Sequence, residues 1–247
     1  MPQEELEQPF IAHLVELRDR LLKAALMILL VFAALTFVAN DLYSYLAGPL
    51  LSHMPAGSQM IATDVASPFL APLKLALVAA IFITMPFSLY QAWAFVAPGL
   101  YGHEKRLLAP LLLASTVLFY TGMAFAYYVV FPVIFAFLTA TAPVGVAVMT
   151  DIGKYMDFVL TLFFAFGAAF EVPIVALLLV WSGLVTAQGL AEKRPYVIVA
   201  AFVIGAVLTP PDVVSQTLLA VPMWLLFEAG LLAARWLPGR GSEVKAP

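Results

Sequence analysis

Apolar runs of roughly bilayer length recur along the whole chain, at residues 21–39, 73–95, 107–137, 155–181, 195–208 and 213–236. Such runs satisfy their own backbone hydrogen bonds as helices in lipid, so the expected fold is an all-α polytopic membrane protein with six transmembrane helices. Composition agrees: 64% hydrophobic against 11% charged residues cannot supply the surface of a soluble domain of 247 residues. The opening MPQEELEQPF is acidic where a secretory leader is basic, and the first apolar segment is therefore expected to be retained. The chain has no cysteine, which excludes a disulfide framework, a thiolate metal site and a cysteine nucleophile.

An even number of spans puts both termini on one side, and basic residues orient the set. Arg18, Arg20, Lys23, Lys105, Arg106, Lys193, Arg194, Arg235, Arg240 and Lys245 fall on one side, against Lys74 and Lys154 on the other. The positive-inside rule makes the termini cytoplasmic, with tails 1–20 and 237–247 around a single membrane domain. The fifth run covers only about 21 Å of a hydrocarbon core about 30 Å thick, so the bilayer thins there or protein covers its ends. Pro132 and Pro173 are expected to kink the third and fourth spans and Pro222 to interrupt the sixth, which favours a cupped bundle. The two long connections on the non-cytoplasmic side, residues 40–72 and 138–154, are expected to form a structured outer cap. Between the last two spans LTPPDVVSQ is too short for anything but an antiparallel hairpin, with Asp212 capping the sixth helix.

Charge concentrates at the cytoplasmic ends. In FIAHLVELRDRLLK, Phe10, Leu14, Leu17 and Leu21 recur at helical spacing, while His13, Glu16 and Arg20 take another face of an amphipathic interfacial helix. Glu16 alone reads as an i,i+4 partner of Arg20, worth a few tenths of a kcal/mol. Glu104, in FVAPGLYGHEKR, alone reads as an acid balancing the bases of its loop. On one membrane side, however, the two carboxylates suit two guanidinium groups, whose planar bidentate geometry lysine cannot reproduce. Tyr90, Gln91 and Trp93 read as interfacial anchors. Glu171 stands out inside the apolar stretch FFAFGAAFEVP, where a charged carboxylate costs about 2.5 to 3.5 kcal/mol.

HLVELRDRL, ATDVASPF followed by Lys74, YQAWAFVAPGLYGHEKR, FGAAFEVP and RPYVIVAAFVIGAVLTPPDVVSQ occur in one order over nearly the whole chain, from His13 to Glu228. In these the chain resembles the TatC family, the polytopic subunit of the twin-arginine protein translocase. The resemblance implies export of folded proteins across the bacterial cytoplasmic membrane, driven by the protonmotive force, with this subunit as receptor for twin-arginine signal peptides. It implies that Glu16 and Glu104 receive the arginine pair, with His13, Arg18 and Phe95 lining the same site. It further implies single-span partners, TatA and TatB, meeting a polar patch that includes Thr209 and Gln216, alongside other TatC copies. Glu171 matches an intramembrane glutamate facing the concave side of the bundle, where it is expected to be protonated or hydrated; a proton relay is one role for it and simple polarity the other. Asp64, Ser67, Pro68 and Phe69 match residues shaping the outer cap and its subunit contacts. Gly205 and Ala206 depart from the pattern, since larger apolar side chains can stand there in relatives.

The rival reading is a proton-coupled small-solute transporter using Glu171, but it calls for a second intramembrane charge and matching broken helices in both halves, neither of which the sequence offers. No Gly-x-Ser-x-Gly, His-Glu-x-x-His or phosphate-binding Gly-Lys-Ser/Thr motif occurs, so neither an enzyme nor a cofactor is expected, and nucleic acid is not an expected partner.

Overall fold

In the computed structural model the described residues are 4–51, 60–96, 108–141, 149–181, 183–208 and 213–236. They are helical almost throughout: α1 (Glu4–Leu35), a 3₁₀ turn (Thr36–Val38), α2 (Ala39–Leu51), α3 (Ser67–Ile83), α4 (Met85–Val96), α5 (Leu108–Phe125), a π turn (Ala126–Val130), α6 (Phe131–Ala140), α7 (Ile152–Phe170), α8 (Val172–Trp181), α9 (Ala187–Glu192), α10 (Arg194–Leu208) and α11 (Val213–Trp236). Among these residues Ala12–Gly48, Ala109–Ala140, Ile152–Trp181 and Gln216–Arg235 are long and apolar enough to cross a membrane. A fifth span is the pair α3 and α4, bent by 51°. Arg194–Val207 is apolar but shorter, as the length of the fifth run requires. Asp212, the loop around Glu104 and the tail 237–247 lie outside the described residues.

The amphipathic segment at residues 10–23 is not a separate interfacial helix, and the expected tail 1–20 is helical from Glu4. It runs without interruption into the first span as α1, because neither proline nor glycine occurs between Phe10 and Ala47. The prolines act unevenly. Pro132 follows the π turn, where the Phe131 N–H donates to the Ala126 carbonyl and the helix widens to accommodate the missing donor. Glu171 leaves the helix two residues before Pro173, its N–H bonding the Ala168 carbonyl at 3.1 Å. The sharpest bend lies between α3 and α4, at Thr84 with Pro86 behind it, and was not among the expected kinks. Pro222, by contrast, does not interrupt its span: α11 is continuous from Val213 to Trp236, with α8 and α10 packed along it.

The chain folds as two compact units. In the first, Met1–Tyr45 with Phe69–Thr116, α1 packs on α4. The second comprises Leu46–Pro68 with Val117–Pro247. Its core is an aromatic seam: Phe131 meets Phe163 edge-on at 5.1 Å, Phe125 lies 5.6 Å from Phe166 and Phe135 lies 5.7 Å from Tyr155. On α7 the buried stripe Met156, Val159, Phe163, Phe166, Gly167 and Phe170 has helical period, and Gly167 lets Phe119 lie directly on the backbone. Gly230 of α11 does the same for Pro173.

Candidate functional site

Within the first unit, residues expected at the cytoplasmic ends come together where α1 meets α4. His13, Glu16 and Arg20 share one face of α1, as i,i+3 and i,i+4 neighbours must. The His13 ring stacks on Phe95 of α4, centroids 4.1 Å apart and planes 17° from parallel. Arg20 donates to Glu16 Oε1 twice, from Nε at 3.0 Å and from Nη2 at 2.6 Å, and from Nη1 to Gln91 Oε1 at 3.4 Å. Glu16 Oε2 is turned toward His13, with Nδ1 at 3.9 Å, too far for a hydrogen bond. The site thus joins a carboxylate, a guanidinium, an amide and a stacked aromatic wall.

Arg18 is not part of this group. Two residues along a helix place it roughly 160° around α1 from Glu16, and there it pairs with exposed Asp19 at 2.7 Å. Gln91, expected only as an interfacial anchor, is buried and joins the group instead. Its signal was a polar amide on the face of α4 that carries Phe95 one turn later. Glu104 lies outside the described residues.

In the second unit the connections before α3 and before α7 are tied together at Asp151. Ile61 and Asp151 form a parallel bridge, with Ile61 N–H donating to the Thr150 carbonyl at 3.0 Å and Ile152 N–H to the Ile61 carbonyl at 2.9 Å. Asp151 Oδ2 accepts from the Thr63 hydroxyl at 2.6 Å and the Thr63 N–H at 2.8 Å, and Oδ1 accepts from the Lys154 N–H, capping α7. These bonds, the Thr63 hydroxyl foremost, hold the Asp151 carboxyl down at about 2. Buried Tyr155 adds a bond from its hydroxyl to the Leu46 carbonyl at 2.6 Å. Asp64 makes the turn into α3, its carbonyl accepting the Ser67 N–H at 3.2 Å; Pro68 is exposed, and Phe69 is 71% exposed. Nothing in sequence spacing singled out Asp151.

Gln216 is half-buried on the first turns of α11, and its backbone lies within 3.5 Å of the space a methyl at Gly205 would fill. Thr209 lies outside the described residues. Further along the same helix pair, Arg194 at the start of α10 donates to both oxygens of Glu228 on α11, from Nε to Oε1 and from Nη2 to Oε2 at 2.8 Å. Glu171 sits between α7 and α8 with Oε1 shut off from the surface.

The model of the family described as Sec-independent protein translocase protein (TatC) matches residues 12–222. The chain is 58% identical over 236 residues to the Sec-independent protein translocase protein TatC of Haemophilus influenzae, covering 96% of this chain and 92% of that one. Its identity to the TatC of Escherichia coli K12 is 54% over 234 residues, covering 95% and 91%. A crystal structure of the twin arginine translocase receptor TatC superposes with a TM-score of 0.80 at 39% identity, covering 90% of this chain and 98% of that one. By sequence and by fold alike, the chain belongs to the TatC family, multi-pass membrane transport subunits of the twin-arginine protein translocase.

Proposed function

We propose that this subunit is the receptor for twin-arginine signal peptides and the core on which folded precursors are exported across the bacterial cytoplasmic membrane, driven by the protonmotive force. The observation that carries the reading is the junction of α1 and α4, where Glu16 already holds a guanidinium beside the stacked rings of His13 and Phe95. A carboxylate that binds one guanidinium in a half-sheltered aromatic setting is chemically suited to bind another. Glu104 supplies the second carboxylate. Arg18, on the far face of α1, contributes to the cytoplasmic electrostatics of this site rather than to its floor.

The topology that goes with this reading has six spans in one membrane domain, with α10 as the short fifth and both termini in the cytoplasm. Glu171 is the intramembrane polar group of the fourth span. Asp64, Ser67, Pro68 and Phe69 then belong to the outer cap together with Asp151, and exposed Phe69 offers a contact to another TatC copy. TatA and TatB dock on the last hairpin through Gln216 and Thr209, where each side-chain hydrogen bond in lipid contributes about 0.6 to 2 kcal/mol.

Photo-crosslinking of a twin-arginine signal peptide to the protein in native membranes tests the receptor reading. Crosslinks near Phe95 are expected to weaken when the arginine pair becomes a lysine pair and in Glu16→Ala or Glu104→Ala. Equal crosslinking in every case makes both acids ordinary interfacial charges and overturns the assignment.

A further inference from the structure

Resting on that receptor reading, we infer that Arg20 is a resident guanidinium that occupies Glu16 in the empty receptor and must let go before a signal-peptide arginine binds bidentately. Both Arg20 bonds fall on the same oxygen, Nε at 3.0 Å and Nη2 at 2.6 Å from Oε1. Two N–H donors saturate the lone pairs of that oxygen, so only Oε2, on the His13 side, still accepts. A guanidinium from outside can make the two parallel bonds of a fork to a carboxylate only with both oxygens available. The side chains of Arg20 and Glu16 are 23% and 34% exposed, sheltered enough for the pair to persist and open enough for exchange. Displaced from Glu16, Arg20 keeps an acceptor in buried Gln91, whose Oε1 it already reaches from Nη1.

The apparent affinity for the peptide is therefore the intrinsic affinity reduced by the fraction of receptor in which Glu16 is released. Arg20 sets a threshold: a peptide with a single arginine, or with lysines, competes poorly against a guanidinium tethered on the same helix.

The test uses the purified full chain in lipid nanodiscs and a fluorescent synthetic twin-arginine signal peptide. Arg20→Lys keeps the charge and removes the fork, weakening the hold on Glu16. The peptide is expected to bind about two- to fivefold more tightly, the range of an exchangeable, partly exposed ion pair. Glu16→Gln is expected to weaken binding, and Arg20→Lys added to Glu16→Gln to change nothing further, since the two residues act on one interaction. If Glu16→Gln weakens binding while Arg20→Lys leaves it unchanged or weaker, Arg20 merely positions Glu16 and the inference falls while the receptor reading stands. If Glu16→Gln has no effect, both fall together.

Discussion

Replacing glycines by alanine separates close helix packing from helix propensity in this protein. A methyl at Gly122 would sit 2.5 Å from the backbone oxygen of Phe166, and one at Gly230 would sit 2.6 Å from the Cα of Pro173. Ordinary contact begins near 3.4 Å, so the facing backbones must part by about 0.9 Å and 0.8 Å. Neither neighbour is a flexible side-chain tip, so the cost belongs at the upper end of the overpacking range, about 3 kcal/mol. Alanine recovers about 1 kcal/mol of helix propensity, leaving a net loss of about 2 kcal/mol at each site. At Gly205 the nearest atom is 3.5 Å away, and at Gly48 nothing lies within 4 Å. Alanine there is expected to be neutral or to stabilise by up to about 1 kcal/mol. Thermal unfolding of the four single variants in one detergent should rank them Gly122 and Gly230 well below wild type, Gly205 and Gly48 at or above it. A rise in melting temperature for all four would mean that propensity rules and that the helices do not approach as closely as these distances require.

Three further outcomes are expected. The Asp151 carboxyl is held at about 2 in the folded protein against 3.8 ordinarily, so its stabilisation is complete above about pH 4 and lost as pH falls through about 2; Asp151→Asn should flatten the pH dependence of melting temperature across that window, and an unchanged slope would show the carboxyl to be uninvolved. Glu228→Gln and Arg194→Glu should each lower the melting temperature, with the exchange Arg194→Glu plus Glu228→Arg recovering part of the loss; a double variant no better than the worse single one would remove the ion pair from the account. In an export assay, Glu171→Gln should retain transport and Glu171→Leu lose it, the pattern of a polar group at a helix break, whereas loss in both would point to proton transfer.

How far the sequence carries depends on the range of each interaction. The spans are legible because lipid demands long apolar runs, and the short fifth helix shows in its length alone. Glu16 with Arg20 is legible as a pair because four residues make one helical turn. By the same arithmetic Arg18 could be set apart from Glu16, and family likeness alone drew it into the site. Gln91 is 71 residues from Arg20, Thr63 is 88 from Asp151, and Glu228 is 34 from Arg194. No local period reports such partners, and their residue types are common at loop ends and interfaces. Prolines mark possible bends but not their size. Pro222 shows no break where neighbouring helices flank it, whereas Pro86 coincides with the largest bend.

The bends themselves follow one chemical pattern, which bears on how a bundle of broken helices stays rigid. Thr84 stands two residues before Pro86, and Glu171 two residues before Pro173. A proline withdraws the N–H that would have reached the carbonyl four residues back, Phe82 for Pro86 and Ala169 for Pro173, and the hydrogen bonds around each break rearrange. The buried Thr84 hydroxyl donates to the Ala80 carbonyl at 2.8 Å and leans toward Ile81 at 3.2 Å, while the Glu171 N–H turns to Ala168 at 3.1 Å. At Pro132 the same deficit is absorbed by widening to a π turn. Opening either break further would expose more polar backbone in a medium that cannot solvate it, which favours fixed corners over hinges. The adjustable chemistry is left to the junction of α1 and α4, where the partly exposed pair Glu16 and Arg20 can exchange partners beside buried Gln91.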